Sequence, residues 1–539
     1  MRTALLFCTI LFTSIATAQS PAWVWAQRAG GVQSDEALAN ATDASGNVFV
    51  AGYFKSANVS FGGTTLTHQA YEDVFLTKYD GAGNALWARA ATGIWYDEAF
   101  GVAADASGNA IVVGFFSSDT LHFGTTTIAS AGSYNGFVAK YSPAGALLWA
   151  KAFGGSQQDH CYAVATDADG NIYVTGYFSS TDITFAGNVL VPVQSGDAML
   201  LKYDANGTEL WATTATGDQH NEGTCVTTDA TGNVIVGGYF YSSSFDVGGT
   251  PLTNAGVTDG FLAKYNASGV LQWAHSVGDA SAESITGLAT DAAGNIGVAG
   301  YYESDALTLG STTLNNTAGG EETLIARYSP AGAVQWAVTG SGGGNQARGI
   351  AADANNDFVV SGYYDSDALS FGSIDVSPSV DVMDVFVVKC GATGNFLWAT
   401  TAGSDGQDQA FGIATDASGS VYVSGWFSGT DITFGSTTLT NDPGSDDLFV
   451  AKLNGTTGIA ETGSPSITAL FPNPAADHVF VVGPAMTNAR VQAIDATGKR
   501  TPLLWTGAGS IGTERLAPGA YVLEVNDGGV VRRLRFVKE

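Results

Sequence analysis

The stretch Trp87–Phe116, "WARAATGIWYDEAFGVAADASGNAIVVGFF", decides the fold because close copies of it recur along the chain. It contains a tryptophan, a pair of acidic residues, and an Asp-x-x-Gly-Asn turn followed by a continuous apolar run. The turn recurs every 62 residues five times and then after 63, with its last two copies degenerate, at Asp43, Asp105, Asp167, Asp229, Asp291, Asp353 and Asp416. A fixed period of this size indicates a repeat architecture.

Two further series keep step with the turns. One is aromatic: Trp25, Trp87, Trp149, Trp211, Trp273, Trp336 and Trp398. The other is basic: Lys78, Lys140, Lys202, Lys264, Arg327, Lys389 and Lys452. Each unit contains four strand-like runs joined by glycine turns, a polar loop with room for a small hairpin, and no helical periodicity. Four antiparallel strands per unit, repeated radially, predict an all-β fold of the β-propeller type with seven blades.

The ends of the repeat region predict how the ring closes. Trp25 precedes the first complete unit, whereas the last unit has no tryptophan in its expected slot near Glu461. The N-terminal strand "AWVWAQRAG" is therefore expected to pair into the last blade, which removes exposed sheet edges. The alternative, an open solenoid, does not explain the offset ends.

Units such as "YVTGYFSSTDITFAG" and "DGFLAKYNASGVLQWA" resemble the bacterial seven-bladed β-propeller repeat family. The resemblance covers about residues 22–460. It implies the fold and says almost nothing about activity, because propellers carry many functions.

The first 18 residues have the pattern of a secretory signal. Arg2 precedes an apolar run that ends in the small residues Ala16 and Ala18, so cleavage is expected after Ala18. We expect the propeller over 19–459, a linker over 460–467 and a small C-terminal β-sandwich over 468–539. No later run is long enough to predict a transmembrane segment.

The tail resembles the C-terminal sorting domain (type A, Por-type) of substrates of the type IX secretion system. "FPNP" at 471–474, "GAYVLEV" and the basic last strand "VVRRLRFVKE" carry this resemblance. It implies contact with that secretion machinery, passage across the outer membrane, removal of the tail, and release or surface attachment. The alternative is an ordinary adhesion-like sandwich domain.

The charge balance limits the partners. The chain has 21 basic and 50 acidic residues, a formal net charge of -29, and the acidity lies between the signal segment and the tail. Such a body repels nucleic acid and anionic membranes and suits cations or basic partners. The alternative is that the charge only keeps an exported protein soluble. Cys161, Cys225 and Cys390 are too few for a disulfide framework and are expected to be buried.

The positions eight and seven residues before the turn aspartates, where the innermost strand of a blade begins, are acidic in eight of fourteen cases and never basic. We expect these side chains at one mouth of the central channel, where clustered carboxylates have raised pKa values and attract a cation. The alternative is that N–H groups at this end need acceptors. The candidate ligand-binding residues are Asp35, Glu36, Asp97, Glu98, Asp159, His160, Glu222, Glu283 and Asp408.

Other chemical signals are weak. The turn aspartates fit turn caps better than calcium loops, so no cofactor is predicted, with Ca²⁺ left as an alternative. The sequence favours a secreted or outer-membrane-attached, non-catalytic module that binds a glycan or protein. Loops 55–72 and 303–321, beside Tyr53, Phe54, Tyr301 and Tyr302, are candidate glycan contacts. The alternatives are a hydrolase with carboxylates at the channel mouth and an envelope scaffold.

Overall fold

The computed structural model describes residues 21–455, apart from 194–195, 366–368, 377–381 and 443. In the tail it describes 469–471, 477–482, 490–495, 499–507, 510–527 and 530–538. The predicted signal segment and the predicted linker lie outside the described residues. The chain divides between residues 456 and 457 into two compact units.

Every regular element of the described residues is a β-strand, and the first unit repeats one strand pattern. Strand β1 (Trp23–Ala29) precedes the repeats. The first repeat contains β2 (Asp35–Thr42), β3 (Val48–Phe54), β4 (Asn58–Phe61), β5 (Thr64–Thr67), β6 (Asp73–Tyr79) and β7 (Ala85–Ala91). The second contains β8 (Asp97–Ala104), β9 (Ala110–Phe116), β10 (Thr120–Phe123), β11 (Thr126–Ala129), β12 (Asn135–Tyr141) and β13 (Leu147–Phe153).

The next three repeats keep this pattern. The third contains β14 (Asp159–Thr166), β15 (Ile172–Phe178), β16 (Ile183–Phe185), β17 (Asn188–Leu190), β18 (Asp197–Tyr203) and β19 (Glu209–Gly217). The fourth contains β20 (Asn221–Thr228), β21 (Val234–Phe240), β22 (Ser244–Val247), β23 (Thr250–Thr253), β24 (Asp259–Tyr265) and β25 (Leu271–Val277). The fifth contains β26 (Glu283–Thr290), β27 (Ile296–Tyr302), β28 (Ala306–Leu309), β29 (Thr312–Asn315), β30 (Glu322–Tyr328) and β31 (Val334–Thr339).

The last repeat is one strand short. The sixth contains β32 (Asn345–Ala352), β33 (Phe358–Tyr364), β34 (Leu369–Phe371), β35 (Ile374–Val376), β36 (Asp384–Cys390) and β37 (Phe396–Ala402). The seventh contains β38 (Asp408–Thr415), β39 (Val421–Phe427), β40 (Asp431–Phe434), β41 (Thr437–Thr440) and β42 (Asp447–Leu453). The N-terminal strand β1 takes the missing place, pairing antiparallel with β42 so that Trp25 lies opposite Lys452.

The long strands of each repeat pair as four antiparallel strands, and we number these sheets I to VII. In sheet III the strand β19 also pairs with β22 of the next hairpin, which extends that sheet to six strands. Sheet I has the order β2-β3-β6-β7, and sheet VII has the order β38-β39-β42-β1. The short strands form the small hairpin that the polar loop predicted, for example β4 with β5. The two middle strands of sheet I are completely buried, as their continuous apolar sequences predict for strands covered on both faces.

The turn aspartates cap their own hairpin turns, as predicted. Asp43 Oδ1 accepts hydrogen bonds from the N–H groups of Ser45 at 2.9 Å and Asn47 at 3.0 Å. Gly46 has a φ of +76°, which a glycine adopts without the steric cost of a side chain. Hydrogen bonds within the turn therefore occupy Oδ1 of the Asp43 carboxylate.

The repeated tryptophans and basic residues join neighbouring sheets. The indole N–H of Trp87 donates to the carbonyl of Pro143 in the next unit at 3.0 Å, and Lys140 Nζ donates to the carbonyl of Ala205 in the next unit at 3.0 Å. Within its own sheet, Lys78 Nζ lies 2.8 Å from Asp43 Oδ2. A Cβ on Gly145 would lie 2.7 Å from the Trp87 ring, so the indole packs where only glycine fits. Trp87 therefore packs between two neighbouring sheets.

Threonine hydroxyls at the ends of the innermost strands link successive sheets. Thr166, Thr228 and Thr290 each donate to a carbonyl of the preceding sheet at 2.7 to 3.0 Å. Thr42 of sheet I makes the same bond to the carbonyl of Thr415 in sheet VII at 2.7 Å. The first and last sheets therefore meet through the contact that joins sheets adjacent in sequence.

The second unit consists of two four-stranded sheets. Its strands are β43 (Ala469–Phe471), β44 (His478–Val482), β45 (Arg490–Asp495), β46 (Arg500–Leu503), β47 (Trp505–Gly507), β48 (Ser510–Gly512), β49 (Gly519–Asp527) and β50 (Val530–Lys538). One sheet has the order β43-β44-β48-β47, and the other has the order β46-β45-β49-β50. Its apolar cluster includes Val479, Ala493, Ile511 and Leu523. In the described part of the chain, no helix is long and apolar enough to cross a membrane.

Candidate functional site

The first residue of each innermost strand is completely buried. Asp159 is typical: its Oδ1 accepts the N–H groups of Ser179 and Ser180, and its Oδ2 accepts the N–H of Gly155 at 2.8 Å and the hydroxyl of Ser180 at 2.6 Å. The side chains of Asp35, Asp97, Glu283 and Asp408 bind the corresponding loops in the same manner.

The structure thus buries these five candidate residues. Two loops aim N–H groups at Asp35, Asp159 and Glu283, Ser118 bonds to Asp97 and Ser404 bonds to Asp408, so in each case a carboxylate satisfies buried donors. Burial raises the pKa of Asp97 to about 7 and that of Asp408 to about 8, against the hydrogen bonds that lower both values. We therefore treat the five as residues that position the loops.

The second residue of each pair is half-buried or buried and lies opposite an aromatic side chain. This aromatic is the first of the two that follow the repeated glycine. The cross-strand pairs are Glu36–Tyr53, Glu98–Phe115, His160–Tyr177, Glu222–Tyr239, Ser284–Tyr301, Gln346–Tyr363 and Gln409–Trp426. Glu36, Glu98, His160 and Glu222 share this arrangement, and two of its aromatic members, Tyr53 and Tyr301, were predicted as glycan contacts.

A cavity of about 180 Å³ lies among the innermost strands and is lined by all seven sheets. Each innermost strand has a register shift that leaves one residue without a direct partner, and these residues line the cavity: Leu38, Phe100, Tyr162, Thr224, Thr286, Arg348 and Phe411. A β-bulge redirects a side chain in this manner. Arg348 lies against the rings of Tyr363 and Phe411, and cation–π contacts with these two rings stabilise its positive charge.

Two histidines lie in sheets III and IV beside this cavity. His160 stacks on Phe115 with ring centroids 4.3 Å apart, and burial lowers its pKa to about 4, so it is neutral at pH 7. His220 Nε2 lies 2.6 Å from Glu222 Oε1. Among the described residues, no group of three or more His, Cys, Asp and Glu side chains is placed to hold a metal ion. The cysteines Cys161 and Cys225 are free and buried, as predicted, and burial raises their pKa values.

Carboxylates cluster where sheets I and II meet. Lys55 Nζ lies 2.7 Å from Glu72 Oε1, whereas no hydrogen-bond donor of the described residues reaches the buried Oε2 of Glu72. Burial, together with a hydrogen bond to the Glu72 carboxyl and the charges of Glu72 and Glu36, raises the pKa of Glu98 to about 9. Burial also raises the pKa of Glu36. At pH 7 Glu98 therefore carries a proton, which reduces the electrostatic repulsion among the carboxyl groups of Glu36, Glu72 and Glu98.

Three aromatic side chains are exposed next to this cluster. Tyr71, Trp95 and Tyr96 are 48%, 44% and 39% exposed. The ring centroids of Tyr71 and Trp95 are 5.0 Å apart with planes at 20°, and those of Tyr71 and Tyr96 are 5.4 Å apart. By contrast, Tyr53 and the second aromatics Phe54 and Tyr302, predicted to contact glycans, are buried, and Tyr301 is half-buried.

The exposed aromatics are held by the main chain beneath them. The N–H of Glu72 donates to the Trp95 carbonyl at 3.1 Å, and the N–H groups of Ile94 and Trp95 donate to Ser118 Oγ at 2.9 and 3.0 Å. The Ser118 hydroxyl in turn donates to Asp97 at 2.8 Å. The buried Asp97 thus positions the loop that presents Trp95.

Of these three aromatics, Trp95 and Tyr96 lie where the first repeat is followed by the second. The positions that correspond to Trp95 in the other six repeats are Gln33, Gln157, Gln219, Ser281, Gly343 and Gly406. The break in the repeat at "GIWYDE" was visible in the sequence. It would have indicated the site earlier than the acidic pairs did.

Comparison with known proteins supports the repeat assignment. A family model described as "Beta-propeller repeat" matches residues 148–183. An uncharacterized WD repeat-containing protein of Acanthamoeba polyphaga mimivirus is 26% identical over 505 residues, which covers 76% of this chain and 36% of that protein. The regulatory protein FlaEY of Caulobacter vibrioides is 24% identical over 347 residues, which covers 60% of this chain and 35% of that protein.

The chain spans about a third of the length of these curated relatives. Among solved structures, the WD40 domain of Neurospora crassa Pan2 aligns with a TM-score of 0.39 at 9% identity, covering 78% of this chain and 89% of that domain. The described residues form an all-β repeat protein that contains a β-propeller repeat, and the chain is similar in sequence to a WD repeat-containing protein.

Proposed function

We propose that the protein is a non-catalytic module that binds a partner at one end of a closed, seven-bladed β-propeller. The bond from Thr42 to Thr415 and the pairing of β1 with β42 support closure of the ring. The cavity to which all seven sheets contribute supports it as well. A closed ring leaves no long sheet edge open and gives its loops a rigid base.

The binding face is the end at which the innermost strands begin. The observation that carries this assignment is the exposed cluster of Tyr71, Trp95 and Tyr96, in which Trp95 stands where the other repeats have glutamine, serine or glycine. Exposed aromatics of this kind are typical of interaction sites, because they bury large areas at little entropic cost. The half-buried aromatic and polar pairs around the cavity extend the same face.

The hydrolase alternative is less well supported by these contacts. A glycosidase needs two accessible carboxyl groups on either side of a bond. The first acid of each predicted pair is buried and bound to loop N–H groups, as in Asp97 and Asp159. Glu72, next to the aromatic cluster, is only 5% exposed and its Oε1 is bound to Lys55.

We further propose that the protein is exported and that the second unit is a sandwich-like sorting domain for the type IX machinery. The resemblance of the tail sequence and its division into a separate unit of two sheets support this. In a host with that machinery, removal of residues 468–539 is expected to keep the protein out of the medium and off the cell surface. Undiminished export of the truncated chain would contradict the assignment.

Saturable binding without turnover is the test of the module itself. Full-length protein is applied to arrays of extracellular glycans and proteins with and without Ca²⁺, which also tests the alternative cofactor prediction. Binding to an array component, weakened by Trp95→Ala and unchanged by Val257→Ala, is expected. Val257 is a matched control because it is exposed at the position of Tyr71 three repeats later. Turnover of a bound glycan that Glu98→Gln abolishes would favour a hydrolase.

A further inference from the structure

We propose that Tyr71, Trp95 and Tyr96, together with the carboxyl groups of Glu72 and Glu98, bind an arginine side chain of a protein partner. We call these five residues the aromatic–acid patch. The inference rests on the proposed partner-binding function and adds the chemistry that the face recognises.

The aromatic half of the aromatic–acid patch provides flat surfaces for stacking. Tyr71 and Trp95 are nearly parallel, and between 39% and 48% of each of the three side chains remains accessible. A guanidinium group is planar and weakly hydrated, so it stacks on such rings more readily than an ammonium group does. Stacking over exposed rings contributes to affinity without any rearrangement of the loop.

In the acidic half of the aromatic–acid patch, one carboxylate oxygen has no hydrogen-bond donor among the described residues. Glu72 is only 5% exposed, and its Oε1 is bound to Lys55. Its Oε2 is buried, and no donor nitrogen or hydroxyl reaches it within the part of the chain that the structure describes. Buried carboxylate oxygens normally have partners, so this atom calls for a donor.

An arginine side chain supplies what both halves lack. Its N–H groups lie in the plane of the guanidinium group. A guanidinium that stacks on an aromatic ring can therefore still form paired hydrogen bonds with carboxylates at its edge. Glu36, Glu72 and Glu98 interact with one another, and Lys55 is the cation that interacts with all three. A second positive charge is therefore favoured, whereas a neutral sugar would stack on the rings without offsetting the carboxylates.

The site is pre-organised. The backbone of Glu72 bonds to that of Trp95, and Ser118 holds the N–H groups of Ile94 and Trp95. Side chains already fixed in place lose little entropy when a ligand binds. The strongly acidic body of the chain also attracts basic segments over longer distances.

Fluorine NMR of the full-length chain labelled with 5-fluorotryptophan tests this site directly. The resonance missing from Trp95→Phe is that of Trp95. N-acetyl-arginine amide is the probe, and N-acetyl-citrulline amide, which has nearly the same shape without the charge, is the control ligand. We expect the arginine compound to shift the Trp95 resonance saturably and the citrulline compound to bind at least about tenfold more weakly, since it lacks the charge that the carboxylates attract.

Variants separate the two halves of the aromatic–acid patch. Tyr71→Ala and Glu98→Gln are each expected to weaken binding of the arginine probe about fivefold or more, whereas Val257→Ala leaves it unchanged. Tyr71 is exposed, so its replacement keeps the proposal testable even if a change at Glu98 disturbs the fold.

Three results would overturn the inference: no saturable shift with N-acetyl-arginine amide, an equal response to the citrulline compound, or a saturable response to methyl glycosides in its place. These results are distinct from failure of the proposed function. If an array component binds and Trp95→Ala or Glu98→Gln has no effect, the proposed binding function stands and only the arginine site is contradicted. If nothing on the arrays binds, the proposed function fails whatever the arginine probe does.

Discussion

Arg28 in the first strand donates a hydrogen bond to the buried carboxylate of Asp447, 419 positions later in the chain. The same guanidinium also binds Asp442, which is partly exposed. This contact fixes the N-terminal strand to the strand that completes the last repeat. Asp447 is entirely shielded from solvent, and burial raises its pKa to about 6 in spite of the arginine. Without Arg28, an ionised Asp447 would be left buried and unpaired.

Arg28→Gln is therefore expected to lower the free energy of unfolding by about 3 kcal/mol at pH 8, as removal of one partner of a buried pair does. The loss should be smaller at pH 5, because Asp447 then takes up a proton. Urea unfolding at the two pH values measures both. Arg89→Gln is the control, since Arg89 binds the carbonyls of Gly145 and Ala88 and no buried carboxylate. Equal losses at both pH values would contradict the assignment.

The repeated basic residues allow a comparison within the chain. Lys140 Nζ lies 2.9 Å from the buried carboxylate of Asp105. The corresponding Lys202 binds the carbonyl of Ala267, while the turn carboxylate of Asp167 accepts the Tyr173 hydroxyl instead. Lys140→Met should cost about 3 kcal/mol of unfolding free energy because it leaves a buried charge, and Lys202→Met should cost clearly less. Chemical denaturation of the two variants tests this. Both lysines also bond to a carbonyl of the next sheet, so equal costs would show that the ion pair of Lys140 with Asp105 within its own sheet does not add stability.

Asp97 gives a prediction with a definite sign. Its pKa is raised from 3.8 to about 7, so the folded state holds this proton more tightly than the unfolded state does. The stabilisation that results is fully present below pH 4 and is lost as the pH rises through 7. Asp97→Asn, which resembles the protonated form, should therefore flatten the dependence of stability on pH over this window and leave the variant more stable than wild type at pH 8.

Asn221 and Asn345 occupy the corresponding positions in two other repeats, so asparagine suits this geometry. Asp97→Ala is the contrasting change, because it removes the bonds to Ser118 at a cost of about 2 kcal/mol. Thermal unfolding of the three proteins at pH 5 and pH 8 distinguishes these effects. An unchanged pH dependence in Asp97→Asn would show that another group titrates.

The sequence predicted those features that repeat. Seven copies of Asp43 and its equivalents, with a tryptophan and a basic residue in step, determine the turns, the packing between sheets and the place of β1. For Asp97 and Asp159 the sequence left two interpretations open, a cation at the channel mouth or N–H groups that need acceptors, and the hydrogen bonds of both carboxylates fit the second. The contact between Tyr71 and Trp95 joins loops of two neighbouring repeats, and only the fold brings them together.

Binding of the arginine probe should depend on pH through Glu98. The groups that face this carboxyl are Glu72, Glu36 and Lys55, and its pKa in the free protein is about 9. Because the cation binds best when Glu98 is ionised, binding below pH 9 must displace a proton. The affinity for N-acetyl-arginine amide should therefore rise by up to tenfold per pH unit between pH 6 and 9 and level off above it. The guanidinium itself remains charged throughout this range.

The fluorine resonance of Trp95, followed in titrations at several pH values, measures this slope. In Glu98→Gln the slope should be largely lost, because the amide cannot release a proton, and affinity at pH 9 should fall more than affinity at pH 6. A slope that persists in Glu98→Gln would assign the displaced proton to Glu36 or Glu72. An affinity that falls as the pH rises would contradict a cation bound to carboxylates, since each of these groups becomes more negative with increasing pH.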